Sequence, residues 1–207
     1  QAYIDKIEKY LGKETIIVLV GQRRVGKSYM MKTVRDQKAS NPDNNIIYID
    51  KEKREFDSIR NYQDLNQYID EHFVASKHNY ILIDEIQDIT EFERSIRSFR
   101  TEPNTDIIIT GSNAKMLSSD VATTLGGRYI TKHILPYSFS EYLSANNIPY
   151  DDMNIATTSG RADVQRYFAE YFRFGGFPEG AQLASKRDYL NSVYQKIYIG
   201  DIATRNK

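Results

Sequence analysis

The chain has 207 residues, equal numbers of basic and acidic side chains (28 Lys+Arg, 28 Asp+Glu) and no cysteine. That length holds one α/β core, or a core with a small satellite, and the neutral balance gives no global electrostatic argument for nucleic acid or an anionic membrane, leaving only a local basic patch open. Without thiols there is no disulfide, thiolate zinc site or cysteine nucleophile.

The three histidines, His72, His78 and His133, show no metal-ligand spacing. No apolar run approaches the roughly 20 residues of a membrane span, and no signal-peptide pattern opens the chain. The expectation is a soluble, cytoplasmic protein with no membrane partner. Residue 1 is Gln, so the chain reads as a fragment or a trimmed chain.

Taken in chain order, short β-rich runs fall at Ile16–Val20, Ile46–Ile49, Tyr80–Ile83, Ile107–Thr110 and Tyr129–Leu135. Four of the five are nearly continuously apolar, the pattern of strands covered on both faces. Between them lie helical patterns. Tyr62, Leu65, Ile69 and Phe73 fall at i, i+3, i+7 and i+11 on one helix face. Strands alternating with helices predict a parallel sheet with right-handed crossovers. Beyond about residue 136 the strand signals stop. Ser138–Ala145 reads as a short helix after Pro136, residues 147–160 as a polar loop, and Ala162–Phe174 and Asp188–Ile199 as aromatic-rich amphipathic helices. The expected organisation is an α/β core over 1–135 and a small helical subdomain over 136–207.

Gly21-Gln22-Arg23-Arg24-Val25-Gly26-Lys27-Ser28 matches G-x-x-x-x-G-K-[ST], between a predicted strand and a predicted helix. Gly21 and Gly26 let the backbone wrap a phosphate and turn N–H groups inward. The helix opening near Lys27 adds its dipole. Lys27 supplies charge to the β- and γ-phosphates, and the Ser28 hydroxyl is suited to ligate Mg2+. The candidate nucleotide-binding stretch runs from Gly21 to Tyr29. Arg23 and Arg24 inside it either touch phosphate or a neighbouring element, or form an exposed basic pair.

Tyr80-Ile81-Leu82-Ile83-Asp84-Glu85 is an apolar strand ending in two carboxylates. Alone, it reads equally as a strand with solvated loop acids. Downstream of a phosphate loop, Asp84 is the expected holder of the Mg2+ shell, and Glu85 the group that deprotonates the attacking water. The GTPase base-recognition pattern N-K-x-D does not occur, which favours ATP. A second apolar strand ends in Thr110, Ser112 and Asn113, where Ser112 ahead of Asn113 is the candidate sensor of the γ-phosphate. The same residues would serve as an ordinary helix cap. Arg128, after Gly126 and Gly127, either stabilises transition-state charge in its own or a neighbouring subunit, or is a surface arginine. Pro178, in Gly175-Gly176-Phe177-Pro178, either belongs to a Gly-x-Pro element that packs on adenine or follows a plain helix stop. The aromatic side chains Tyr167, Phe168, Tyr171 and Phe172 are expected in the core rather than as a base-stacking platform.

Taken together, these motifs resemble the AAA-14 type prokaryotic ATPases of the AAA+ superfamily, over nearly the whole chain. The resemblance rests on the phosphate loop with its two arginines, Asp84-Glu85-Ile86-Gln87, Gly126-Gly127-Arg128-Tyr129, the run from Leu135 to Leu143, Phe174–Glu179 and the terminal Asp201–Arg205. It implies a P-loop NTPase fold, α/β, with a five-stranded parallel sheet in the order 5-1-4-3-2 followed by a helical lid. It also implies Mg-ATP turnover that shifts the helical part against the core, and a further C-terminal domain of unknown function beginning where this chain stops. DNA, through that missing domain, and a homo-oligomer are the implied partners beyond ATP. On this reading Lys27, Glu85, Ser112 and Arg128 carry catalysis, and Ser28 and Asp84 hold the metal. The alternative is a nucleotide-gated binding module with little hydrolysis. A P-loop kinase fits less well, because a water-activating Glu85 invites wasteful hydrolysis.

Overall fold

The computed structural model describes residues 2–111, 125–181, 183 and 185–195. The chain divides into two compact units, the first ending at Ile134 and the second starting at Leu135.

In the first unit, five strands among the described residues form one parallel sheet: β1 (Ile16–Val20), β2 (Asn44–Asp50), β3 (His78–Asp84), β4 (Thr105–Gly111) and β5 (Tyr129–His133). Their spatial order is β2-β3-β4-β1-β5, which is the expected 5-1-4-3-2 read from the other edge. The apolar runs explain which strands are central. All five residues of β1 are at most 1% exposed, and all seven of β4 are buried. Strands of this kind are stable only with both faces covered. β5, reading Tyr-Ile-Thr-Lys-His, is only half-buried and lies at the edge. It stops at His133, short of the expected Leu135. Ile134 still donates its N–H to Val20 O at 2.7 Å, but Pro136 cannot extend a ladder as a donor.

Helices α1 (Ala2–Glu8), α2 (Lys27–Ala39), α3 (Tyr62–His72) and α4 (Phe92–Phe99) complete the first unit. α1, which no sequence signal marked, buries Ile4 and Ile7. α3 starts at a capping box, in which the Asn61 side chain accepts from the Gln63 and Asp64 N–H groups and Asp64 reaches back. Its expected apolar face is real: Leu65 and Ile69 are fully buried, and Phe73, just past the helix, packs on the same core.

The second unit is helical: α5 (Phe139–Ala145), α6 (Asp152–Ala156), α7 (Thr158–Phe174), α8 (Pro178–Ala181) and α9 (Lys186–Gln195). The expectation of a loop over 147–160 holds as far as Asp151 and is overturned beyond it. Its polar residues are helix starts, with Asp151 accepting from Asn154 N–H to begin α6 and Thr157 accepting from Gly160 N–H to begin α7. The aromatic helices divide their side chains. Tyr142 on α5 is 1% exposed and meets Tyr167 and Tyr171 of α7, whereas Phe168 and Phe172 are 52% and 82% exposed. Of the four α7 aromatics expected in the core, only Tyr167 and Tyr171 therefore pack there.

Two substitutions test this packing by equilibrium urea unfolding. Ile81→Ala, in the fully buried middle of β3, is expected to lower stability by about 2–5 kcal/mol. Gly21→Ala would place a Cβ 2.3 Å from the Ile134 carbonyl oxygen. It is expected to lower stability by about 1–3 kcal/mol through overpacking, although alanine is ordinarily the easier residue to order.

Candidate functional site

Parallel strands deliver all their carboxyl ends to one edge of the sheet. β1 and β3 both neighbour β4, so the segments following them stand about 10 Å apart, two inter-strand spacings. One of those segments is the glycine loop; the other is the acid pair.

Around the loop, Arg24 has φ 66° and Gly26 φ 97°, so the chain turns through left-handed backbone before α2 begins at Lys27. Gly26 is the N-cap residue and supplies no side-chain cap, and the first turn of α2 carries no acid. Neither a cap side chain nor a first-turn acid therefore compensates the N–H groups there. Gly21 is required by space, because the Ile134 backbone lies against it. Val25 is 4% exposed and anchors the loop in the core. Gln22, Arg23 and Arg24 are exposed, Ser28 is half-buried and Tyr29 is 76% exposed. Lys27 is 4% exposed, and its Nζ donates to Gly21 O at 3.1 Å and Gln22 O at 3.0 Å. Burial lowers its pKa, opposed by the negative charges of Glu85 and Asp84.

The acid pair leaves β3. Asp84 is 1% exposed and is the register partner of Asp50 at the end of β2, itself 5% exposed. Asp50 accepts from Tyr48 Oη at 3.4 Å and from Glu52 N–H at 3.2 Å, with Lys32 Nζ at 4.0 Å. Burial and the charges of Asp50 and Asp84 push the Tyr48 phenol above its ordinary range, so it remains a donor. Glu85 takes a left-handed conformation, φ 53° and ψ 48°. Its Oε2 accepts from Gln87 Nε2 at 2.5 Å.

The tip of β4 joins the two acids. The Thr110 hydroxyl donates to Asp84 Oδ1 and accepts from Glu85 N–H at 3.0 Å. Sequence reasoning placed Thr110 at a polar strand end but gave the role there to Ser112. The signal lay in the expected order 5-1-4-3-2, which sets the β4 tip between the ends of β1 and β3. Ser112 and Asn113 lie outside the described residues.

Arg128 is not brought to this edge. Its carbonyl accepts from Ile16 N–H at 3.2 Å, and Tyr129 pairs with Ile16 at the amino end of β1. The phosphate loop follows the other end of β1, about 16 Å of strand away, more than an arginine side chain spans. A role for Arg128 on a phosphate of its own chain is therefore corrected by the topology. Pro178 opens α8 in the second unit, after Gly175 (φ 73°) has ended α7 with its N–H donating to Tyr171 O at 2.7 Å. The neighbouring Gly176 lies against Tyr137, where an added Cβ would meet the Tyr137 carbonyl oxygen at 2.2 Å. The terminal Asp201–Arg205 also lies outside the described residues. Among the described residues no helix is long and apolar enough to cross a membrane.

The AAA_14 family model, described as an AAA domain, matches residues 13–143. An uncharacterized protein of Haemophilus influenzae is 35% identical over 208 residues, covering 98% of this chain and 50% of that protein. One from Methanocaldococcus jannaschii is 29% identical over 203 residues, covering 97% and 44%. The chain thus spans about half the length of the curated relatives it matches. Among solved structures, Cdc6p from Pyrobaculum aerophilum superposes with a TM-score of 0.51 at 11% identity, covering 96% of this chain and 62% of that one. Hsp104 of Saccharomyces cerevisiae, in its casein complex, gives 0.53 at 11% identity, covering 97% and 38%. At such identities these two likenesses establish the fold, while the match over most of the first unit establishes kinship: this chain belongs to the AAA_14 family of AAA domains, P-loop NTPases of the AAA+ type.

Proposed function

We propose that the chain binds ATP with Mg2+ and hydrolyses it, using turnover to drive a conformational change. The observation that carries this reading is the meeting of two chemistries at one sheet edge. A buried lysine heads a helix after a glycine loop, and its charge is coupled to two carboxylates that leave the strand two places away.

The donor set fits the metal, since the Ser28 hydroxyl and the Asp84 carboxylate are hard oxygen ligands of the kind Mg2+ takes, directly or through water. Bound there, Mg2+ neutralises charge on the β- and γ-phosphate oxygens. The remaining work falls to the chain. Loop N–H groups from Gly21 to Ser28 hold the phosphates, and Lys27 exchanges its two loop carbonyls for phosphate oxygens. Asp84 orients the metal's water shell. Glu85 takes the proton of the water that attacks the γ-phosphorus as the bond to the bridging oxygen breaks and ADP leaves. Ser112 is the proposed γ-phosphate sensor. Arg128, remote from its own loop, is proposed to serve a neighbouring copy in a homo-oligomer.

Steady-state hydrolysis and ATP binding, measured together, test this reading. Glu85→Gln is expected to bind ATP and lose about 100-fold or more in kcat, the scale of a lost general base, while Lys27→Ala is expected to lose ATP binding itself. If wild type binds ATP and releases no phosphate at any protein concentration, the hydrolase reading falls and a nucleotide-gated module replaces it. If Arg128 acts between copies, the rate per chain rises with protein concentration, and Arg128→Ala abolishes that rise.

A further inference from the structure

We propose that Thr110 is the positioning residue for the acid pair, one hydroxyl that sets both the Asp84 carboxylate and the backbone of Glu85. The inference rests on the reading of Asp84 and Glu85 as the metal-ordering and water-activating acids.

β4 runs Thr-Asp-Ile-Ile-Ile-Thr-Gly, and Thr110 is 0% exposed next to Ile109. A valine would fill the same space in a strand of this kind. A buried hydroxyl is unfavourable there unless its hydrogen-bonding capacity is used. In Thr110 both directions are used, and on consecutive residues of the neighbouring strand end: Oγ1 donates to Asp84 Oδ1 and accepts from Glu85 N–H at 3.0 Å.

The backbone explains why a side chain is needed. The β3–β4 pairing runs from Asn79 and Thr105 to Ile83 and Ile109. Glu85 then enters left-handed backbone, a conformation that a residue with a side chain keeps only when its surroundings hold it there. With the chain turning away from the ladder, the Glu85 N–H finds the Thr110 hydroxyl as its acceptor. The same hydroxyl spends its proton on Asp84 Oδ1. That contact fixes the plane of the carboxylate, leaving Oδ2 as the oxygen that Thr110 does not engage. Metal ordering by Asp84 and the direction in which Glu85 leaves the backbone are thus tied to one oxygen atom. Partners that orient ligands in this way typically contribute 10- to 100-fold to metal affinity or activity.

The test compares Thr110→Val, which keeps the shape and loses the hydroxyl, with Thr110→Ser, which keeps the hydroxyl. Three quantities are read: the Mg2+ concentration giving half-maximal nucleotide binding, kcat against KM in excess Mg2+, and hydrogen exchange of the Glu85 amide in nucleotide-free protein. The valine variant is expected to need about tenfold more Mg2+ and to lose about 10- to 100-fold in kcat, with KM unchanged within about threefold. Its Glu85 amide exchanges faster. The serine variant returns all three to near wild type. If valine retains the wild-type Mg2+ midpoint, or serine loses as much as valine, the proposal is overturned. Should the valine variant not fold, Thr110→Ala takes its place against serine. A wild type that binds Mg-nucleotide without hydrolysing it overturns the hydrolase reading, and the Mg2+ midpoint and amide exchange still decide Thr110.

Discussion

Burial of both faces of the sheet is the constraint from which the rest follows. β1, β3 and β4 contribute Ile, Val and Leu to each face, and the interiors of these strands have no room for a charge. Polar side chains are therefore confined to the strand ends. At the amino edge they are structural: Asp106 accepts from Gly12 N–H at 2.7 Å and contacts His78 Nε2 at 2.8 Å. At the carboxyl edge they include Asp50, Asp84 and Thr110, all at most 5% exposed. The same exclusion of water that protects the core raises the strength of every electrostatic interaction at that edge.

Lys27 shows the balance this produces. Removing an ammonium group from water disfavours its charge, and the carboxylates of Glu85 and Asp84 restore part of what burial removes. The two loop carbonyls that accept from Nζ take two of its three donors. Loop and acid pair are thus interdependent. A loop lysine without the acids would be a poorly compensated buried charge, and buried Asp84 and half-buried Glu85 without the lysine would repel each other.

Much of the first unit was legible because its signals are local. The spacing of Gly21, Gly26, Lys27 and Ser28, the apolar run into Asp84 and Glu85, and the face of Leu65 and Ile69 each lie within a dozen residues. What the residues themselves do not carry is relative position across the sheet, which came only through the family resemblance. Arg128 follows two glycines and precedes a strand, and nothing local says that this strand ends, rather than begins, beside the phosphate loop. Thr110 was similarly hidden, because its partners are 25 and 26 residues away and only the strand order brings them together. The stretch over 147–160 misled for another reason: Asp151 and Thr157 are residues that turns and helix caps both favour, and composition does not separate the two uses.

The pairing of β1 has a consequence for how the chain acquires its structure. This strand is made early, yet its two neighbours come late. Ile17 pairs with Ile108 on one side and with Ile130 on the other. While a ribosome lengthens the chain, the most apolar strand of the sheet must wait for the larger part of the first unit to be synthesised before either edge is closed. Contacts of such long sequence separation slow folding, and unpaired apolar strands are where nascent chains associate with one another. The central place that lets β1 carry the phosphate loop therefore makes the same five residues the segment most exposed to error during synthesis.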